Sequence, residues 1–337
     1  MSGWRRRLLS GSVLACMALA GCSGQRAIER TTVSARQWPA DDPRVELDQV
    51  LTNRQGGRSV WRWLSGAVAS ELLQRPYGAA WAGDDLLITD PGAARVVRID
   101  PRGRVRVTPP DLVDGPIGVA VCAAGIVVTD SGRGRVLLLN ENLRLIRQLA
   151  EGLVRPTGVA CQGATVYVAE TGRHRVVLLS SAPASAEGAV RTIGARGEQL
   201  GEFNYPTALT LGGGNLWIGD TLNFRVQQLA VAAQEFRTAF GALGDAPGEM
   251  PRIKGLALDP AGQLWISDGQ MDRVSLYATD GTFLMSLGEI GSAAGEFSFP
   301  AGIAAHPDGR VAVVESLNRR VTVFRLVDRG LEGRGSW

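Results

Sequence analysis

The sequence contains few of the residues from which enzyme active sites are commonly built. Its 337 residues include two histidines, His174 and His306, and a single lysine, Lys254. Two imidazoles cannot complete a zinc site that needs three histidine ligands. The chain also has no Gly-Lys-Ser/Thr phosphate loop and no Gly-x-Ser-x-Gly nucleophile elbow. These absences argue against the familiar zinc, phosphate-loop and serine-hydrolase classes.

Long hydrophobic segments are missing too. The longest run, Leu8–Ala20, is too short for a helix that spans a ~30 Å hydrocarbon core. It follows Arg5–Arg7 and ends in Leu-Ala-Gly-Cys, which predicts a secretory signal peptide over residues 1–21. This ending resembles the lipobox of bacterial lipoproteins. The resemblance implies that Cys22 is lipidated, that the protein is anchored to a membrane in the periplasm, and that Ser23 directs it to the outer membrane.

An excess of positive charge is absent once the signal peptide is removed. The chain has 36 basic and 33 acidic residues, and residues 1–21 contain three arginines and no acid, so 33 of each remain. A neutral, exported protein is a poor candidate for binding nucleic acid. We expect a monomer whose partner is a protein or an anionic glycan.

What the chain has in abundance is an internal repeat. An acidic residue is followed five residues later by an arginine and then a valine, with the acids spaced by 40, 40, 50, 48 and 47 residues. Because every repeat carries one pair, we interpret the pairs as structural, bracing a turn by charge-assisted hydrogen bonds. The pairs are Asp90 and Arg95, Asp130 and Arg135, Glu170 and Arg175, Asp220 and Arg225, Asp268 and Arg273, and Glu315 and Arg320.

Short apolar runs of strand type flank each pair, such as Ile-Val-Val-Thr-Asp before and Val-Leu-Leu-Leu after in the second repeat. Three or four strands in each of six repeats predict an all-β fold, a six-bladed β-propeller. Its Pro-x-Gly, Asp-x4-Arg-Val and Gly-Glu-Phe marks resemble the NHL-repeat family over residues 59–327. We expect the propeller at residues 45–330, after lipidated Cys22 and a flexible tether (residues 22–44) and before a tail at residues 331–337.

The last repeat lacks its outer strand. Ser59–Leu64 aligns with the outer strand of the fifth repeat, so we predict that this segment completes the last blade and closes the ring.

Two cysteines, Cys122 and Cys161, fall in the first strands of repeats two and three with opposite side-chain parity. That parity allows a disulfide, and two buried free thiols are the alternative.

The loops that vary from repeat to repeat lie on one face of a propeller. On that face stand Arg75, Tyr77, Arg133, Arg155, Arg173, His174, Asn223, Phe224, Arg252, Lys254, Met271, Asp272, Asn318 and Arg319. Arginine suits carboxylate and phosphate contacts, so a basic rim can attract an anionic partner, and a solvated rim in an arginine-rich chain is the alternative. The candidate binding face consists of Tyr77, Arg133, Arg173, His174, Asn223, Phe224, Lys254, Met271, Asn318 and Arg319.

The first strands of the repeats, which line a propeller's channel, contain no carboxylate or imidazole. We therefore assign no catalytic, cofactor-binding or metal-binding residue, and leave open a calcium or magnesium site built from scattered carbonyls and acids. The prediction is a binding or scaffolding module for a protein or an anionic ligand. The alternative is a metal-dependent enzyme that resembles the lactonase or lyase propellers.

Overall fold

Short strands joined by tight turns account for most of the structure, a computed structural model. It describes residues 28–33, 36–41, 44–53, 72–182 and 191–327. The predicted signal peptide, Cys22 and the tail at residues 331–337 lie outside these ranges. Within them, no helix has the length and apolar character needed to cross a bilayer.

Six antiparallel sheets form the six blades of a β-propeller, which confirms the predicted fold. Blade 1 contains β4 (Ala79–Ala82), β5 (Asp85–Asp90), β6 (Arg95–Ile99) and β7 (Val105–Val107). Blade 2 contains β8 (Pro116–Cys122), β9 (Gly125–Asp130), β10 (Arg135–Leu139) and β11 (Leu145–Ala150). Blade 3 contains β12 (Pro156–Gln162), β13 (Thr165–Glu170), β14 (Arg175–Ser180) and β15 (Arg191–Ile193). Blade 4 contains β16 (Pro206–Gly212), β17 (Asn215–Asp220), β18 (Arg225–Ala230) and β19 (Glu235–Phe240). Blade 5 contains β20 (Ile253–Leu258), β21 (Leu264–Asp268), β22 (Arg273–Tyr277) and β23 (Phe283–Leu287).

Blade 6 is completed by the N-terminal part of the chain. The last three strands of the chain are β24 (Pro300–Ala305), β25 (Arg310–Glu315) and β26 (Arg320–Leu326). The N-terminal strand β3 (Val45–Asn53) lies antiparallel to β26 and is the fourth strand of this blade. Closure by an N-terminal strand is thus confirmed, but the prediction that Ser59–Leu64 supplies it is wrong, and that segment lies outside the described residues. The physical reason is that β3 carries the apolar side chains, including Val45 and Leu47, that the core between blades 5 and 6 requires.

Part of the predicted tether is folded against the propeller. Within residues 22–44, β1 (Ile28–Thr32) and β2 (Gln37–Trp38) both pair with β3. Ile28 is buried, and its amide donates to the Gly103 carbonyl of blade 1 at 3.2 Å. Trp38 packs edge-on against Phe324 at 5.7 Å. The tether prediction failed here because an edge strand is held largely by backbone hydrogen bonds, so its side chains can stay polar.

The hydrophobic core is divided into six clusters, one between each pair of neighbouring blades. The second strand of each blade contributes side chains to the two clusters that flank the blade, because successive side chains of a strand point to opposite faces of the sheet. In β5, Leu86 and Ile88 face blade 6, whereas Leu87 faces blade 2. Each blade therefore buries two apolar faces only when both neighbours are present.

Hydroxyl groups join each blade to the next near the channel. Thr89 of blade 1 donates to the Ile117 carbonyl of blade 2 at 2.7 Å. Ser316 of blade 6 closes the circle by donating to the Pro76 carbonyl at 2.5 Å. At the other interfaces the hydroxyl of the first residue donates to the backbone carbonyl of the second: Thr129 to Thr157 (2.5 Å), Thr171 to Pro206 (2.6 Å), Thr221 to Ile253 (3.2 Å), and Ser267 to Ala301.

Close approach of the innermost strands explains the glycine of each Pro-x-Gly mark. A Cβ at Gly118 would overlap the Thr157 carbonyl oxygen of the next blade. Four other blades have a glycine under the same constraint, and blade 4 has Ala208 in its place. These glycines are Gly78, Gly158, Gly255 and Gly302. The channel they line is narrow, with a cavity of about 60 Å³.

The repeated acid and arginine face each other across the hairpin formed by the second and third strands of every blade. In blade 2, the buried Asp130 carboxylate accepts from Arg135 at 3.0 Å and from the amide of Gly115 at 2.9 Å. Arg135 also donates to the Leu112 carbonyl at 2.6 Å. The pair therefore ties the hairpin turn to the segment that enters the same blade, which is the geometry of a structural brace.

A disulfide joins blades 2 and 3 at the end of the channel away from these hairpin turns. Cys122 ends β8, Cys161 lies in β12, and their Cα atoms are 5.5 Å apart. Of the two alternatives that the sequence left open, the structure contains the bonded one. The bond adds a covalent link where the innermost strands already pack closely.

The pair of blade 6 provides a test of the brace. Glu315 and Arg320 are 2.8 Å apart with side-chain exposures of 0% and 9%, and burial raises the pKa of Glu315. We expect Arg320→Met to reduce the free energy of unfolding by about 3–5 kcal/mol, because it leaves a buried carboxylate unpaired. The loss should shrink as pH falls, since the raised pKa lets Glu315 take up a proton in the folded state.

Urea unfolding measures this effect, with Arg104→Met as the control. Arg104 forms an exposed pair with Asp100, its own side chain being 63% exposed, so its loss should cost less than about 1 kcal/mol. Equal losses in the two variants would contradict the structural role of the blade 6 pair.

The disulfide predicts a defined product of proteolysis. Trypsin digestion without reductant should yield peptides 107–133 and 148–173 as one covalently linked species, because they carry Cys122 and Cys161. Reduction should separate them, and mass spectrometry reads both states. Recovery of the two peptides unlinked, from protein purified under oxidising conditions, would contradict the bond.

Candidate functional site

The turn face is the end of the propeller that carries the hairpin turns after each repeat acid and the segments entering each first strand. Its turns share one constraint, because the fourth residue after the acid is left-handed in every blade. The residues are Ala94 (φ 47°), Gly134 (60°), His174 (55°), Phe224 (57°), Asp272 (49°) and Arg319 (53°). Variation at this position therefore reflects tolerance of a left-handed backbone as well as any role in binding.

Several residues of the candidate binding face are committed to the turns themselves. At the third position after the acid, Arg173 contacts Glu170 at 2.8 Å, and Asn223 donates to Asp220 at 2.8 Å. Asn318 donates to Glu315 at 2.7 Å. At the same position, Arg133 donates to the Asp111 carbonyl at 2.8 Å, and the Met271 amide donates to Asp268 at 2.9 Å. The side chains of Arg133, Arg173, Asn223 and Asn318 thus brace the face, so the basic rim is less available than its composition suggests.

His174 is buried, with 9% exposure, although the sequence places it on the candidate binding face. Its Nδ1 accepts the amide of Tyr205 at 3.2 Å, and the two rings pack edge to face at 4.4 Å. Burial, reinforced by the positive charge of Arg196, lowers the pKa of His174. The imidazole is thus a neutral packing group between blades 3 and 4, and is not positioned to bind a ligand on the surface.

Two members of the candidate face, Lys254 and Tyr77, lie at the mouth of the channel. Lys254 is the second residue of β20, and Tyr77 precedes β4 at the equivalent position of blade 1. Both line the channel cavity. Burial lowers the pKa of Lys254 to about 8, with further lowering by Arg252 and Arg155. Burial raises the pKa of Tyr77 to about 12, so its phenol stays protonated at neutral pH.

Arg155 and Arg252 flank this mouth and belong to the site, although the ten-residue candidate face omitted them. Each stands immediately before an innermost strand, of blades 3 and 5 respectively, and is exposed. Within the described part of the chain, no hydrogen bond or ion pair involves their side chains. The signal was present in the sequence, because Arg155 and Arg252 stand at the same place, directly before the first strand, in repeats three and five.

A second group of ligand-type residues lies on the opposite face. Asp84, His306 and Asp308 could place one ligand atom each within 4.8 Å of one another. Arg310 already contacts Asp84 at 2.5 Å and Asp308 at 2.7 Å, and Asp308 also contacts the His306 Nδ1 at 2.7 Å. The Arg310 guanidinium neutralises both carboxylates and repels a divalent cation, which disfavours metal binding at this place. The cluster is therefore an ion-pair network.

A larger charged cavity, of about 610 Å³, lies on the outer strands of blade 1. Three of its four arginines are engaged locally: Arg98 contacts Asp85 at 2.6 Å, and Arg104 contacts Asp100 at 2.5 Å. Arg106 donates to Asn142 at 2.6 Å. The channel mouth differs from this cavity because, among the described residues, none of Lys254, Arg155 and Arg252 has such an acceptor, whereas most arginines of the cavity do.

Comparison with known proteins shows the fold and leaves the function open. No family model matches the chain, and no curated protein does. A streptogramin B lyase superposes with a TM-score of 0.57 at 16% identity, over 77% of this chain and 95% of that one. A gluconolactonase from Xanthomonas campestris gives 0.57 at 17% identity, over 89% and 100%. An auxiliary nutrient binding protein from Bacteroides thetaiotaomicron gives 0.59 at 12% identity, over 75% and 69%.

These similar structures include two enzymes and a binding protein on one architecture. At such identities the likeness establishes a six-bladed β-propeller and nothing finer. The function of this chain therefore has to be argued from its own side chains.

The buried state of His174 predicts a specific pH effect. Its lowered pKa means that the unfolded chain binds a proton more readily, so its contribution to stability is present above pH 6.5 and is lost as pH falls. His174→Asn should tolerate the left-handed backbone and keep an acceptor for Tyr205, but should not titrate. We expect the free energy of unfolding to fall less between pH 7 and pH 5 in this variant than in wild type. Parallel pH profiles in urea unfolding would contradict the assignment.

Proposed function

We propose that this chain is a lipid-anchored, NHL-repeat-type propeller of the bacterial cell envelope that binds a protein partner through its turn face. One observation carries the proposal: solvent-exposed apolar side chains concentrate there. Of the eleven large hydrophobic residues exposed in the described part of the chain, six lie on the turn face. They are Val154, Leu200, Leu222, Leu243, Ile290 and Leu317.

Five of these residues belong to three consecutive blades, and we refer to them together as the apolar patch: Leu200 and Leu222 of blade 4, Leu243 of blade 5, and Ile290 and Leu317 of blade 6. Ile290 is 77% exposed and Leu243 is 61% exposed. The backbone next to Ile290 is held by Asn318, which donates to the Gly291 carbonyl at 2.9 Å. Rigid, exposed apolar side chains on one face are typical of protein interaction sites.

The charges on the same face favour an acidic partner. Arg155, Arg196 and Arg252 are exposed, and their side chains make no hydrogen bond or ion pair with described residues. Arginine beside apolar groups is characteristic of protein interfaces. We therefore infer a folded partner whose apolar surface is bordered by aspartate and glutamate.

The envelope location rests on the N-terminal sequence and is supported by the disulfide. The lipobox-like residues 19–22 imply a membrane anchor at Cys22, and Ser23 favours the outer membrane. Disulfides persist in oxidising compartments such as the periplasm, which fits the bond between Cys122 and Cys161. No observation in the described residues favours the metal-dependent enzyme over the binding module.

Photo-crosslinking in intact cells tests the proposal directly. A photoreactive amino acid in place of Leu222, which is 37% exposed, should form an adduct with one protein through a surface bearing acidic residues. Combining it with Leu243→Ser and Ile290→Ser should reduce the adduct about tenfold, because exposed anchor residues dominate interface energy. Peptide mass spectrometry identifies the adduct.

A matched control uses apolar residues of blade 2. Leu145→Ser and Ile146→Ser remove side chains that are 47% and 50% exposed, away from the turn face, and should leave the adduct unchanged. Both variant pairs should unfold at the wild-type temperature. An adduct with an acidic glycan alone, or an equal yield in the two pairs, would overturn the protein-binding proposal.

A further inference from the structure

The mouth of the channel holds a cation that the fold does not explain. Of the six residues at the equivalent position of the innermost strands, Lys254 is the only charged one. The others are Tyr77, Ile117, Thr157, Thr207 and Ala301. Lys254 is also the only lysine in a chain with 35 arginines.

The surroundings of Lys254 supply no counter-charge of its own. Its alkyl chain packs where Gly269 leaves space, and its Nζ lies 5.3 Å from the centre of the Phe299 ring. Among the described residues, none accepts a hydrogen bond from Nζ. The nearby Asp268 carboxylate already accepts the amides of Arg252 at 2.7 Å and Gln270 at 2.8 Å.

Two further cations reinforce this imbalance. Arg252 and Arg155 lie close enough to lower the pKa of Lys254, and Asp268 is the single charge that raises it. The same two arginines act on the Tyr77 phenol from across the channel. Lys254 and the neutral Tyr77 hydroxyl line a narrow opening. Arg155 and Arg252, both exposed, directly precede two of the strands that line it. This accumulation of positive charge is unfavourable unless an anion offsets it.

We propose that the channel mouth binds one terminal oxyanion, a carboxylate or a phosphate, between Lys254, Arg155 and Arg252, with Tyr77 as a neutral donor. All four side chains offer hydrogen donors, and three carry positive charge, so the site selects against cations. The cavity of about 60 Å³ admits a single small group. A larger ligand would insert its anionic end and leave the rest above the turn face.

This inference goes beyond the proposed function, because the ligand could be part of the partner protein or a separate small molecule. Binding should be stronger when Lys254 is protonated. Affinity should therefore decline as pH rises through the pKa of about 8. A bound anion must in turn raise that pKa, by linkage.

The single lysine makes the experiment direct. Reductive methylation of the purified protein with carbon-13 formaldehyde labels the Lys254 amine, whose NMR shift reports its titration. Acetate and inorganic phosphate are the probes, and chloride at equal ionic strength is the reference. We expect at least one of the two oxyanions to raise the pKa of Lys254 saturably, and the stronger of them identifies the class.

Variants locate the anion. Arg155→Gln and Arg252→Gln should each weaken binding about tenfold or more, since a charge-assisted hydrogen bond is lost. Arg144→Gln, at an exposed arginine of blade 2 away from the mouth, should leave binding unchanged. Isothermal titration calorimetry with unmethylated protein gives the affinities and their pH dependence.

The outcomes separate this site from the protein-binding proposal. A Lys254 titration that neither oxyanion shifts beyond the chloride reference would overturn the anion site, even if the crosslinked partner is found. Equal weakening by Arg144→Gln would also overturn it, because the effect would then be general charge screening. If no protein adduct forms in the crosslinking experiment while acetate or phosphate still binds at the channel mouth, only the protein-binding proposal is overturned.

Discussion

The close approach of the six innermost strands is the constraint on which the rest of the molecule depends. Each blade can bury both of its faces only if its neighbours come within contact distance near the axis. Glycine at positions such as Gly118 removes the side chain that would prevent this approach. A hydroxyl from each blade, such as Thr89, then satisfies a carbonyl of the next. The ring closes because Ser316 makes the same bond from the last blade to the first.

The same constraint shapes the candidate site. Strands packed this closely leave a narrow channel lined mainly by glycine and small apolar residues. A lysine placed there loses much of its hydration, which explains the lowered pKa of Lys254 without any designed partner. Arg155 and Arg252 stand at the entrance because the chain enters each blade at the turn face. The electrostatics of the mouth are therefore a consequence of the architecture combined with three particular side chains.

The repeated acid and arginine determine how much of the turn face is available to a partner. Each buried carboxylate recruits donors from the hairpin turn and from the incoming segment, as Asp130 does with Arg135 and Gly115. Arg173 and Asn318, which the sequence marks as variable surface residues, are drawn into the same networks. What remains exposed is the apolar patch of blades 4 to 6 and a few arginines without local acceptors.

Sequence patterns predicted the fold well because the repeat marks describe local requirements. A strand, a buried acid, an arginine and a close-approach glycine recur in register, so six blades can be counted along the chain. The closing strand was misplaced for a different reason. Ser59–Leu64, the predicted segment, and Val45–Asn53, the observed strand, both precede blade 1 and contain apolar residues, and the packing of Val45 and Leu47 against neighbouring blades identifies the observed one. The strand Ile28–Thr32 escaped detection because its pairing is largely through the backbone.

The sequence by itself determined the repeat, the six-bladed architecture and the residues that brace each blade, since these depend on contacts between residues close in the chain. Only the tertiary structure decided which side chains remain free. His174 and Arg155 both stand at variable positions of the turn face, yet one is buried against Tyr205 and the other is exposed at the channel mouth. Burial and unpaired charge are properties of neighbours that come from other blades, and no local pattern in the chain records them.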